Sequence, residues 1–83
     1  MKKKIAILGS TGSIGKTTFN IIKRNKKDFD IILLSTNRNT KILLKQAYLF
    51  NVKNLIITDK KKFLEIKKKL SKEKIKVFNN FDD

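Results

Sequence analysis

The chain has three glycines, and they stand at even spacing as Gly9, Gly12 and Gly15 inside the run Ile7-Leu8-Gly9-Ser10-Thr11-Gly12-Ser13-Ile14-Gly15-Lys16-Thr17-Thr18. A glycine-rich turn that leaves an apolar strand and opens a helix can cradle phosphate, because backbone amides point outward and the helix dipole favours negative charge there. Two chemistries compete for this loop. A P-loop requires G-x-x-x-x-G-K-[ST]. Gly15-Lys16-Thr17 supplies its end, but the residue five places before Gly15 is Ser10, and Gly9 lies one position too far. A Walker-type aspartate for Mg²⁺ is also missing: the candidate second and third strands end at Ser35-Thr36 and Thr58-Asp59, the latter followed at once by Lys60, Lys61 and Lys62. The competing pattern, G-x-x-G-x-x-G, is a spaced variant of the dinucleotide fingerprint. In it Gly9 turns the chain off the strand, Gly12 clears the approach of a pyrophosphate, and Gly15 lets the helix close on the sheet. Thr11, Ser13 and the amides of the first helical turn then act as donors.

The second discriminator is Ser35-Thr36-Asn37-Arg38-Asn39. Sites that select NAD place a carboxylate after the second strand to hold the ribose hydroxyls, whereas an arginine there accommodates the 2′-phosphate of NADP. No carboxylate stands in this stretch. Arg38 can pair with a phosphate, and Ser35, Thr36 and Asn39 can add hydrogen bonds. NADPH is the cofactor expected, although Asn39 and Thr40 also have the chemistry of a helix N-cap.

These loops need a scaffold, and the apolar pattern supplies one. Lys4–Leu8, Asp30–Ser35 and Asn54–Thr58 are short apolar runs of the kind buried on both faces of a parallel sheet. Between and after them lie three helical patterns. Ser13 to about Asn25 carries Ile14, Thr18, Ile21 and Ile22 at helical spacing. Thr40–Phe50 carries Ile42, Leu43, Ala47 and Phe50. Lys60–Leu70 turns Phe63, Leu64, Ile66 and Leu70 inward and a lysine face outward. Lys74–Phe78 alternates as an edge strand does. The fold class expected is α/β: a Rossmann-like open parallel sheet of three βα units plus a short edge strand, the first half of a doubly wound domain. Residues 1–83 form one cofactor domain, read as truncated. Val77-Phe78 is expected to extend the sheet beyond the third strand, leaving the first strand bare on one side and the chain weakly stable and prone to associate.

Composition narrows the chemistry further. With 83 residues, no Cys and no His, the chain holds one small domain without disulfides, thiolate or imidazole catalysis, or ordinary zinc sites. The net charge of +14 raises nucleic acid as a partner. However, nearly all of it is lysine, and the aromatic residues fall at apolar positions of periodic segments, so the excess resembles codon bias more than a binding groove. A basic module binding nucleic acid through Lys60–Lys76 and an NTPase fragment using Lys16 stand as alternatives. The apolar stretch after Lys2-Lys3-Lys4 is too short for a signal or membrane segment, so a cytoplasmic chain without membrane contact is expected.

The unbroken Ile7-Leu8-Gly9-Ser10-Thr11-Gly12-Ser13-Ile14-Gly15, with Ser35–Asn39, closely resembles the N-terminal part of the 1-deoxy-D-xylulose 5-phosphate reductoisomerase family. Thr17-Thr18, Ile21–Asn25, Gln46–Phe50 and Asn54–Asp59 extend the resemblance from about Lys3 to Leu70. It implies an enzyme that rearranges 1-deoxy-D-xylulose 5-phosphate and reduces the product with NADPH to 2-C-methyl-D-erythritol 4-phosphate, a step toward isoprenoid precursors by the non-mevalonate route. It further implies a divalent metal, Mg or Mn, and a homodimer, both built by regions beyond this chain. By resemblance the cofactor contacts are Thr11, Gly12, Ser13, Ile14, Asn37, Arg38 and Asn39. Asn37 departs from the family's usual Gly, and Arg38 from its common Lys. No catalytic residue or metal ligand is expected here, and the chain alone is not expected to turn over.

Overall fold

The computed structural model describes residues 2–81. Along the chain run β1 (Lys3–Ile7), α1 (Ser13–Arg24), a 3₁₀ turn (Lys26–Asp28), β2 (Phe29–Thr36), α2 (Thr40–Phe50), β3 (Asn54–Ile57), α3 (Lys60–Lys69) and β4 (Lys76–Phe78). All the expected elements are present. The strands are parallel in the order β1-β2-β3-β4, so β4 extends the sheet outside β3 as Val77-Phe78 suggested.

Right-handed crossovers that always step in the same direction place their helices on the same face of a sheet. One continuous core accordingly joins Phe19 and Ile22 of α1, Leu43, Ala47 and Phe50 of α2, and Ile66 of α3 to Ile7, Ile31, Leu34, Leu55 and Ile57 of the sheet. Each fully buried Leu or Ile contributes about 1.5–3 kcal/mol relative to exposure. An edge-to-face contact between Phe19 and Phe50, centroids 5.1 Å apart, ties α1 to α2. Lys26 lies over the Phe50 ring and donates to the Leu49 carbonyl at 3.1 Å, satisfying one of the orphan acceptors at the end of α2. The Tyr48 hydroxyl donates to the Glu73 carboxylate at 3.2 Å, and partial desolvation, then that carboxylate, raise its pKa above the usual phenol value.

Three expectations need correction. The buried face of α1 is Gly15, Phe19 and Ile22, while Ile14, Thr18 and Ile21 are exposed. Gly15 has to face the β1 turn, which brings Phe19 and Ile22 inward by the i, i+4, i+7 repeat. In α3, Leu64 is exposed while Phe63 and Ile66, with Leu70 at the helix end, turn toward the core. Finally, β1 and β2 are not buried on both faces, since Ala6 is exposed and Ile32 is 42% exposed. Among the described residues the helices cover one face of the sheet, and the other carries a shallow hollow of about 360 Å³ lined by Ile32, Leu33, Asn54, Ile56, Phe78 and Phe81.

A bulge modifies the strand alternation. Ile5 pairs with Ile31 but Ala6 with Leu33, so β2 carries an extra residue at Ile32. A bulge shifts the phase of the side chains beyond it. Ile31 and Leu34, three positions apart, therefore both reach the core, at 2% and 0% exposure.

The uncovered apolar face and the free side of β1 set an expected behaviour for the isolated chain. It melts below about 60 °C, within the ordinary mesophile range, and its sedimentation shows association as concentration rises. A cooperative melt above that temperature from a monodisperse monomer overturns this expectation.

Candidate dinucleotide site

The C-terminal ends of β1, β2 and β3 lie side by side, because Ile7 pairs with Leu34 and Leu34 with Leu55. This is the edge at which open parallel sheets bind ligands. The glycine loop leaves β1 here. Gly9 has φ +66°, a left-handed backbone suited to glycine, and its carbonyl accepts from the Gly12 amide at 3.1 Å to close the turn. Gly15 packs against that turn, where a Cβ would lie 2.1 Å from the Gly9 oxygen and 2.7 Å from Ser10 Cα. At Gly12 the protein makes no such demand, since a Cβ would meet only the Gly9 oxygen at 3.5 Å.

The loop is held from beneath by polar groups. The Gly9 amide donates to Ser35 Oγ at 2.8 Å and the Ser10 amide to the Ser35 carbonyl at 2.9 Å. Ser10 Oγ donates to Gln46 Oε1 at 2.7 Å, and Gln46 Nε2 returns a bond to the Ser10 carbonyl at 2.9 Å. Ser10 and Gln46 are 0% and 6% exposed, so this reciprocal pair is a satisfied polar island within the core. Neither residue was singled out as a contact from the sequence. The available signal was Gln46 itself, a polar residue on the same helical face as Leu43, Ala47 and Phe50.

Above this support the loop stays open. Gly12 is the N-cap of α1 and brings no side-chain cap, whereas Asn39 caps α2 through the Ile42 amide at 3.3 Å and Asp59 caps α3 through the Lys62 amide at 3.0 Å. The first-turn amides of α1 are thus left to an outside acceptor. Beside them a cleft of about 680 Å³ runs between β1 and α1, with Leu8, Ser13, Ile14 and Thr18 on its walls. Leu8 and Ile14 are 58% and 84% exposed, giving the cleft an apolar flank next to its amides.

The predicted contact residues form two neighbouring loops. Gly12, Ser13 and Ile14 are exposed at the start of α1, and Asn37, Arg38 and Asn39 are exposed between β2 and α2. Thr11 bridges the loops through its hydroxyl, 2.6 Å from Thr36 Oγ1. Ser35 and Thr36, expected to donate outward, are buried and turn their hydroxyls to the glycine loop instead. Asn39 Oδ1 is engaged as the α2 cap, leaving its amide nitrogen as the donor it can offer. The Arg38 side chain is 71% exposed, with Nε 4.0 Å from Asp59 Oδ1. Its guanidinium stays open to solvent beside this carboxylate.

Known proteins resemble this chain over most of its length. The sequence model for 1-deoxy-D-xylulose 5-phosphate reductoisomerase matches residues 5–82. The reductoisomerase of Pelagibacter ubique is 59% identical over 80 residues, which cover 96% of this chain and 21% of that protein. That of Buchnera aphidicola is 43% identical over 74 residues, covering 89% and 19%. A solved reductoisomerase from Zymomonas mobilis, described in complex with NADPH, superposes with a TM-score of 0.84 at 32% identity over 94% of this chain and 21% of its own. The chain thus spans about a fifth of the length of these relatives. With the match running from β1 through β4 and taking in both loops, the chain belongs to the 1-deoxy-D-xylulose 5-phosphate reductoisomerase family.

Proposed function

We propose that this chain is the cofactor-binding part of an NADPH-dependent reductoisomerase that converts 1-deoxy-D-xylulose 5-phosphate to 2-C-methyl-D-erythritol 4-phosphate. The observation that carries the reading is the uncapped start of α1. Gly12 is exposed, the protein's own packing does not require glycine there, and the amides behind it face a cleft. A close-approaching pyrophosphate accounts for all three features.

NADPH supplies a hydride to the rearranged substrate, and this chain's residues bind and orient that cofactor. The amides of Ser13 and Ile14 hold the pyrophosphate at the positive end of α1. Thr11, tied to Thr36, keeps the loop beside the end of β2. Arg38 takes the 2′-phosphate with its exposed guanidinium, flanked by Asn37 and Asn39. No group of three His, Cys, Asp or Glu side chains able to hold a metal occurs among the described residues. A phosphosugar substrate, a divalent metal (Mg or Mn) and a homodimer belong to the proposed whole enzyme, which acts in the cytoplasm. No described helix is long and apolar enough to cross a membrane.

Titration of the folded chain with NADPH, NADH and Mg²⁺-ATP, followed by nicotinamide fluorescence or calorimetry, tests the reading. NADPH is expected to bind more tightly than either alternative. Arg38→Ala should weaken NADPH by about tenfold to a hundredfold, the range for one charge-assisted hydrogen bond of 1.5–3 kcal/mol, while leaving NADH nearly unchanged. Preference for Mg²⁺-ATP, or equal loss of both dinucleotides, rejects it.

A further inference from the structure

The loop that offers Arg38 is not self-supporting. Its neighbour Asn37 is tied down by the β3–α3 turn. Thr58 Oγ1 donates to Asn37 Oδ1 at 2.8 Å, and the Asp59 amide donates to the Asn37 carbonyl at 3.0 Å. The Thr58 amide also donates to the Thr36 carbonyl at 3.1 Å. Asp59 divides its carboxylate, with Oδ2 capping α3 through the Lys62 amide and Oδ1 facing Arg38 Nε at 4.0 Å. From the far side, Asn79 Nδ2 donates to the Ile57 and Thr58 carbonyls at 3.0 and 3.3 Å, anchoring the turn to the end of β4.

The geometry points to Thr58 and Asp59 as positioning residues that set the preference for a 2′-phosphorylated cofactor by holding Asn37 and Arg38. The inference rests on the NADPH reading above and extends it to a third strand end. Arginine has two donor edges, and a carboxylate on the Nε side steers the side chain while leaving its terminal nitrogens for a phosphate. A solvated Arg38 without that partner spends its time over many rotamers, each of which must be lost on binding. Asp59 also carries negative charge near the anion it helps to bind, and the two effects oppose each other. Only one Asp59 oxygen faces Arg38, the other being held by the Lys62 amide. The Lys62 amide and Arg38 share its charge between them, so positioning is the larger effect.

The test compares NADPH and NADH affinities of the chain with three variants. Thr58→Val removes the hydroxyl at nearly constant volume, Thr58→Ser restores it, and Asp59→Asn removes the charge while keeping an N-cap, since Asn caps as well as Asp. Thr58→Val and Asp59→Asn should each weaken NADPH by about threefold to tenfold, the equivalent of one modest hydrogen bond. NADH should stay within about twofold, and Thr58→Ser should keep the parent ratio, since neither change removes a bond to a 2′-hydroxyl. Equal weakening of both cofactors marks a merely structural turn and overturns the inference, as does unchanged or tighter NADPH binding in Asp59→Asn. If the unsubstituted chain shows no preference for NADPH, the Arg38 reading itself fails and this inference with it.

Discussion

Gly15→Ala is expected to lower the melting temperature by about 5–15 °C, a net loss of about 1–2 kcal/mol at 4–8 °C per kcal/mol for a domain of this size, and to abolish measurable NADPH binding. The added Cβ would lie 2.1 Å from the Gly9 oxygen, 2.9 Å from the Gly9 carbonyl carbon and 2.7 Å from Ser10 Cα. All three obstacles are backbone atoms, so no rotamer change relieves them and the helix must move away from the turn. Overpacking of this kind costs about 1–3 kcal/mol or more, whereas alanine recovers only about 1 kcal/mol of helix propensity over glycine. The clash prevails. Moving α1 outward also displaces the amides of Ser13 and Ile14 from the cleft, so binding suffers more than stability. Gly12→Ala is the matching control, because its Cβ makes an ordinary contact at 3.5 Å. It should leave the melt within a few degrees and weaken the cofactor alone. Equal melting of Gly15→Ala and the parent would remove the packing role assigned to Gly15.

Gln46→Leu is the second substitution with a large expected effect. It removes the donor to the Ser10 carbonyl and the nearer acceptor of the Ser10 hydroxyl, which keeps only a 3.4 Å contact with the Ser35 carbonyl, in a site where Ser10 is fully buried. An unsatisfied buried polar group costs about 1–3 kcal/mol. Leucine returns part of this by burying more apolar surface, leaving a net loss of about 1–2 kcal/mol. Chemical denaturation measures it directly.

Gln46→Glu separates hydrogen bonding from volume. A protonated carboxyl can both donate to the Ser10 carbonyl and accept from its hydroxyl, as the amide does, but a carboxylate cannot donate and is penalised by burial. The folded-state pKa of this glutamate therefore lies above its unfolded value of about 4.3. Its contribution is present in full below that pH and is lost as pH rises through the folded pKa. The variant should approach the parent near pH 4 and fall below it at pH 7. A stability difference from the parent that is constant across this range would reject the reciprocal bond as the function of Gln46.

Some of the site was legible in the sequence because its logic is local. Gly9 and Gly15 follow from a turn and a close contact made within a few residues of each other, and the lack of a carboxylate between Ser35 and Asn39 needs no structure to see. The inward face of α1 was harder. Ile14, Thr18, Ile21 and Ile22 and the set Gly15, Phe19 and Ile22 both have helical spacing. The contact of Gly15 with the Gly9–Ser10 backbone chose between them. Asn39 shows a similar limit, since the same side chain suits an N-cap and a phosphate contact, and the structure commits its oxygen to the cap.

What the sequence determined by itself was the succession of strands and helices, the place of the glycine loop after the first strand and the chemistry offered at the second. Those features depend on residue type and on spacing within one element or turn. Only the tertiary structure decided how the two loops are held. Ser10 with Gln46, Thr11 with Thr36 and Asn37 with Thr58 meet across separations of 36, 25 and 21 residues. The phase shift at Ile32 likewise emerges only when β2 is paired with β1. The reason is physical: periodicity reports which way a side chain points along its own element, whereas a polar partner is chosen by which strand ends the crossovers bring side by side.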